Sequence, residues 1–155
     1  MFMSQYTVYI KAPDYLDQWL RSEYWDEETR RIVFPRGSAP RAVLQSVLRK
    51  TPSDYKPGDV SGLLPVAVPT FKRINPSNFN YLTADGEAAL VSACKSLFKS
   101  VLYEDLGELF LYDIQITDII YNFLDKHGIE RTEKNWDTVR QMYLRMRKKA
   151  RRSQC

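Results

Sequence analysis

Residues 117–152 read TDIIYNFLDKHGIERTEKNWDTVRQMYLRMRKKARR, and the punctuation of this stretch decides the fold of the C-terminal half. Thr117 is placed to cap a helix, and Asp118 puts negative charge in the first turn, where the helix dipole favours it. Ile119, Ile120, Phe123 and Leu124 supply the apolar face. The stop is as legible as the start. His127-Gly128-Ile129 fits a Schellman ending, with His127 as the Ccap, Gly128 in the left-handed position and Ile129 packing back on Leu124. A second helix starts after Thr132 or after Asn135. In it Trp136, Val139, Tyr143, Met146 and Ala150 recur at three- and four-residue spacing, which lines them up in one stripe. The segment therefore reads as a helix-turn-helix-like hairpin. A start at Trp136 would lengthen the connection and make it a plain αα-hairpin.

Charge separates along the chain. Residues 131–155 hold nine basic side chains (Arg131, Lys134, Arg140, Arg145, Arg147, Lys148, Lys149, Arg151, Arg152) against Glu133 and Asp137, a local net charge of +7. Residues 1–130 carry fourteen basic and seventeen acidic residues, a net −3, so the whole-chain +4 conceals an acidic body with a basic end. At 100° per residue, Arg145, Lys148, Lys149 and Arg152 project away from the apolar stripe, while Arg140, Arg147 and Arg151 flank it. One buried side and a cationic outer side is what a helix needs to contact phosphate. Guanidinium forks hydrogen-bond phosphate or guanine edges, and ammonium groups neutralise backbone charge. These nine residues are the candidate nucleic-acid contacts, with duplex DNA ranked ahead of RNA. Two other readings compete: a solubilising helix whose last cations complement the dipole, and a surface that docks on an acidic protein partner.

Upstream the periodicity changes. Tyr6, Val8 and Ile10 alternate with Thr7, Tyr9 and Lys11, which predicts a strand over residues 5–11. Asp14 is the predicted N-cap of a helix reaching Tyr24, with Leu16, Trp19 and Leu20 on its inner face. Ile32, Val33 and Phe34 form a second strand, and Ser38 with Pro40 opens a helix carrying Val43, Leu44, Val47 and Leu48. Residues 51–62 are a Pro-, Ser-, Asp- and Gly-bearing loop. Residues 63–68 are the third strand, which Pro65 should confine to a sheet edge or shorten to Val66–Val68. Residues 71–82 read as a connector. Beyond it a helix capped by Thr83 or Asp85 runs to about Tyr103, with Lys95, Ser96 and Lys99 opposite its apolar face.

The predicted class is α+β. Residues 1–75 form an N-terminal lobe with a small three-stranded sheet and helices, and residues 76–155 form an all-helical lobe, the two sharing a core. A protein of this composition is soluble, and its longest apolar run, residues 63–68, is too short to cross a bilayer, so no membrane partner is expected. The first residues lack the basic and apolar regions of a signal peptide. Cys94 and Cys155 show neither disulfide nor metal spacing, so a cytoplasmic location is expected.

Catalysis finds no constellation. His127 stands alone as the sole histidine, at a helix end where a polar cap is ordinary. The acidic groups Asp26-Glu27-Glu28 and Glu104-Asp105 read as solvated loop or helix ends. Arg36-Gly37-Ser38-Ala39-Pro40-Arg41 lacks the glycine spacing and the Lys-Ser/Thr of a phosphate loop. The expectation is a non-enzymatic nucleic-acid-binding protein without cofactor or metal. The alternative is an interaction module that recruits a protein through the acidic lobe or an edge strand at residues 66–68.

Overall fold

The computed structural model describes residues 5–154. Residues 1–4, on which part of the signal-peptide argument rests, and Cys155 lie outside the described residues. The alternating N-terminal segment forms strand β1 (Thr7–Ile10), which buries Val8 and Ile10 and turns Tyr9 outward. Helix α1 (Asp14–Tyr24) follows, and it starts differently from the sequence expectation. Extended Pro13 occupies the cap position and its carbonyl accepts the Asp17 amide at 2.9 Å. Asp14 is already helical, so it acts through the dipole of the first turn rather than as a cap.

Strands β2 (Trp25–Asp26) and β3 (Arg31–Ile32) form a short hairpin. Arg30 takes the left-handed conformation (φ 55°), and the Asp26 carboxylate accepts the Thr29 amide at 3.1 Å. The acidic loop thus supplies a turn-closing group. Helix α2 (Ala39–Val47) begins as expected, with Ser38 accepting the Arg41 amide at 3.4 Å and Pro40 in the first turn. Short strands β4 (Arg49–Lys50), β5 (Leu64–Ala67) and β6 (Phe79–Tyr81) complete the β structure.

The class is α+β, and the main sheet is four-stranded in the order β1-β5-β3-β2, one strand more than expected. β5 is antiparallel to β1 and parallel to β3, so it lies inside the sheet despite Pro65. The expected edge position is overturned. Pairing with β3 is registered at Ile32↔Val66 alone, so the ladder makes little demand on the amide that proline lacks. Val66 and Val68 are fully buried, which removes the exposed edge proposed there for a protein partner. β4 and β6 pair separately, placing a strand in the presumed connector.

The C-terminal half contains helix α3 (Ala84–Leu106), a 3-10 turn (Gly107–Leu109), helix α4 (Thr117–Lys126) and helix α5 (Glu133–Arg152). Thr83 caps α3, accepting the Gly86 amide at 3.0 Å. Gly86 is also where α3 meets α2: a Cβ there would come within 3.3 Å of the Val47 side chain. Thr117 is not the cap of α4. Ile116 already accepts the Ile120 amide at 2.9 Å, so the helix begins one residue earlier without side-chain capping.

The end of α4 matches its sequence reading. Ile129 N–H donates to Leu124 O at 2.9 Å and Gly128 N–H to Asp125 O at 3.4 Å, with Gly128 at φ 70°. These are the two Schellman bonds. Thr132 caps α5 through the Asn135 amide at 3.1 Å, so residues 127–132 connect the helices. The start after Thr132 is the earlier of the two expected ones, so only residues 128–131 separate the His127 and Thr132 caps and the hairpin is helix-turn-helix-like.

One hydrophobic cluster runs from Val8 to Tyr143 through both halves of the chain. Phe98 of α3 sits at its centre, with edge-on contacts to Tyr15 (5.0 Å) and Trp19 (5.3 Å) of α1 and Phe123 (5.8 Å) of α4. Each such pair adds about 0.5–1.5 kcal/mol beyond its burial. This cluster fixes α3, α4 and α5 relative to one another, and with them the charges on their outer surfaces.

Candidate nucleic-acid interface

The buried side of α5 is formed by Asn135, Val139, Met142 and Tyr143, with Trp136, Met146 and Ala150 half-buried beside it. The stripe is therefore rotated from the one read from apolar residues alone. Asn135 is the reason. Its amide donates to Gln18 Oε1 (3.1 Å) and to Glu130 O (3.0 Å), so a polar side chain is satisfied inside. Trp136 is held at the edge, stacked on Tyr121 at 5.8 Å with its Nε1 donating to Thr117 O at 3.3 Å.

This orientation divides the basic residues of α5 into two stripes. Lys134, Arg145, Lys148, Lys149 and Arg152 fall within about 100° of one another at 3.6 residues per turn, and all five are exposed. Arg140, Arg147 and Arg151 fall within about 40°, on the opposite flank of the buried side, and are half-buried. The second stripe is engaged with the protein itself. The Arg140 guanidinium lies over Trp136 (5.6 Å to the ring centre) and that of Arg147 over Tyr143 (5.7 Å). Arg151 donates to Phe110 O at 2.8 Å, Tyr112 O at 3.1 Å and Asp113 Oδ1 at 3.3 Å, tying the loop after the 3-10 turn to the final helix.

Two further candidates are partnered. Arg131 grips Asp125 with both ends of its fork, at 2.9 and 2.6 Å, and lies over Tyr121 at 5.0 Å. Those hydrogen bonds hold the Asp125 carboxyl below its ordinary range. Lys134 Nζ is 3.4 Å from Asp14 Oδ2. By contrast, among the described residues no carboxylate lies within 4.0 Å of Arg145, Lys148, Lys149 or Arg152. These four occupy positions i, i+3, i+4 and i+7 of one helix face. Like charges so placed repel by a few tenths of a kcal/mol per pair, an expense the packed inner face absorbs and a bound polyanion would relieve. Lys149 and Arg152 also sit in the last turn, where cations complement the dipole.

The other sequence candidates are structural. His127 is buried: its Nε2 meets Asp105 Oδ2 at 2.7 Å and its Nδ1 lies 3.6 Å from Glu23 Oε1. Lys126 reaches the same Asp105 oxygen at 3.1 Å. Burial pushes the Asp105 carboxyl up, but the His127 and Lys126 hydrogen bonds outweigh it and leave the group below its ordinary value. Here the sole histidine locks the end of α4 onto α3. Cys94 is fully buried, and burial pushes its thiol up to about 12. Arg41 lies over Phe71 at 4.9 Å, beside the α2 cap. Among the described residues no group of three or more metal-ligating side chains converges, and no helix is long and apolar enough to cross a membrane.

What sequence reasoning missed lies on α3. Lys95 and Lys99 line the same groove as Lys134 and Arg145 of α5, next to Asp14 and Tyr15 of α1. The two lysines are one turn apart opposite the apolar face of α3, a signal present in the sequence, but nothing local says which helix packs beside them.

No known protein family matches this chain, and neither a curated protein nor a solved structure shows significant similarity to it.

Proposed function

We propose that this protein is a non-enzymatic nucleic-acid-binding protein that contacts the phosphate backbone, duplex DNA foremost, through the outer stripe of α5. The observation that carries this reading is the row Arg145, Lys148, Lys149 and Arg152: exposed, on one ordered helix face, and unmatched by carboxylates among the described residues. Each cation that neutralises a phosphate releases a counterion, and that release dominates sequence-independent affinity. The geometry favours backbone contact over base reading. The basic stripe runs along the side of α5, and two of its members, Lys134 and Arg145, border a groove shared with α3.

The test is fluorescence anisotropy of a labelled duplex with the full chain and with R145Q/K148Q/K149Q/R152Q. The four positions are exposed and glutamine keeps helix propensity, so the variant folds with stability within about 1 kcal/mol of the parent. At a salt concentration of about 0.1 M its affinity is expected to fall at least about 100-fold, the loss of four phosphate contacts. Equal affinity of parent and variant would remove the reading.

A further inference from the structure

We infer that the phosphate path does not stay on α5 but crosses a groove onto α3, where Lys95 and Lys99 are further backbone contacts. This rests on the function proposed above and extends it to a second helix. The groove has a volume of about 340 Å³, and its walls carry Lys95 and Lys99 on one side and Lys134 and Arg145 on the other. Thr138 and Met142 of α5 also line it; the Thr138 hydroxyl already donates to Lys134 O at 2.8 Å, and Met142 offers an apolar surface. A single carboxylate lines it, Asp14, and that group is paired with Lys134. Among the described residues Lys95 and Lys99 have no carboxylate within 4.0 Å.

Four cations facing across one concavity, with one acid among them, concentrate positive potential between low-dielectric walls and favour a polyanion strand there. The direction of the path follows from the helices. Arg145 lies in the groove and on the exposed stripe at once, so it joins the groove to Lys148, Lys149 and Arg152. At the other end Lys95 also borders a second groove of about 330 Å³, lined by Lys11 and by one carboxylate, Glu87, which accepts the Lys11 amide at 2.8 Å. A backbone laid from Arg152 through Arg145 to Lys95 meets cations from two helices whose relative placement is fixed by the shared core.

The experiment is the salt dependence of duplex binding for five chains: wild type, R145Q/K148Q/K149Q/R152Q, K95Q/K99Q, K95R/K99R and K50Q/K56Q. The last removes the same charge from exposed positions on β4 and the loop after it. Each phosphate contact contributes about 0.9 to the slope of log affinity against log salt, so K95Q/K99Q is expected to reduce its magnitude by nearly 2. K50Q/K56Q is expected to leave the slope unchanged, and K95R/K99R to restore it. Equal slopes for K95Q/K99Q and wild type, or equal losses in the two glutamine doubles, overturn the inference. If R145Q/K148Q/K149Q/R152Q abolishes binding while K95Q/K99Q binds as wild type, only the groove falls. If the wild-type chain binds no nucleic acid, the proposed function fails and the groove fails with it.

Discussion

Gly128 shows how much one residue can carry. Its φ of 70° suits glycine, and a Cβ there would come within 2.6 Å of Ser22 Cβ on α1 and also strike Ser22 Oγ. The left-handed conformation alone costs a β-carbon-bearing residue about 1–2 kcal/mol, and the contact adds to it. Gly128→Ala is therefore expected to lower unfolding free energy by about 2 kcal/mol or more in a urea titration. An unchanged midpoint would mean that the α4–α5 turn does not rest on this geometry. The neighbouring Asp105 makes a pH prediction. Its folded-state carboxyl lies below its ordinary value of 3.8 because His127 and Lys126 bond to it. A depressed acid contributes stability that is complete above the unfolded-state value and is lost as pH falls through the folded one. The destabilisation by Asp105→Asn is thus expected to be largest near neutrality and to shrink from about pH 5 downward. A difference that is flat across that range contradicts the assigned role.

At the scale of elements, what the sequence made legible was local and what it hid was distant. The β1 alternation, the Ser38 cap of α2 and the Gly128 ending of α4 depend on neighbours a few residues away, and each is present. The pairing of Arg49 with Tyr81 and the interior place of β5 depend on contacts across tens of residues, which no local pattern records. The buried face of α5 lies a fraction of a turn from its apolar stripe, because Asn135 is polar yet buried. Its two hydrogen bonds inside the fold are made by Gln18 and Glu130. That rotation is what sorts the cations. Arg151, one of the nine sequence candidates, holds carbonyls of the loop following the 3-10 turn. Arg151→Gln is expected to lower thermal stability while leaving the salt slope of duplex binding unchanged. A reduced slope with unaltered stability would return Arg151 to the interface.

The whole molecule joins an acidic-bodied chain to a basic edge through one core. Phe98 touches aromatic rings of α1 and α4, and the hydrophobic cluster spans residues from β1 to α5. With a single core, urea unfolding is expected to be one transition, coincident when followed by tryptophan fluorescence and by helical circular dichroism. Two separated transitions would show that the halves fold independently. The candidate site was visible in outline, because clustered charge on a helix is a sequence property. Its division into engaged and available cations was not, because that depends on which loop and which neighbouring helix pack beside α5. The most direct test of the account is the dependence of duplex affinity on salt for the wild-type chain against R145Q/K148Q/K149Q/R152Q. The slope of log affinity against log salt is expected to lose about 3.6 in magnitude, four phosphate contacts' worth. Coincident slopes for the two proteins would contradict it.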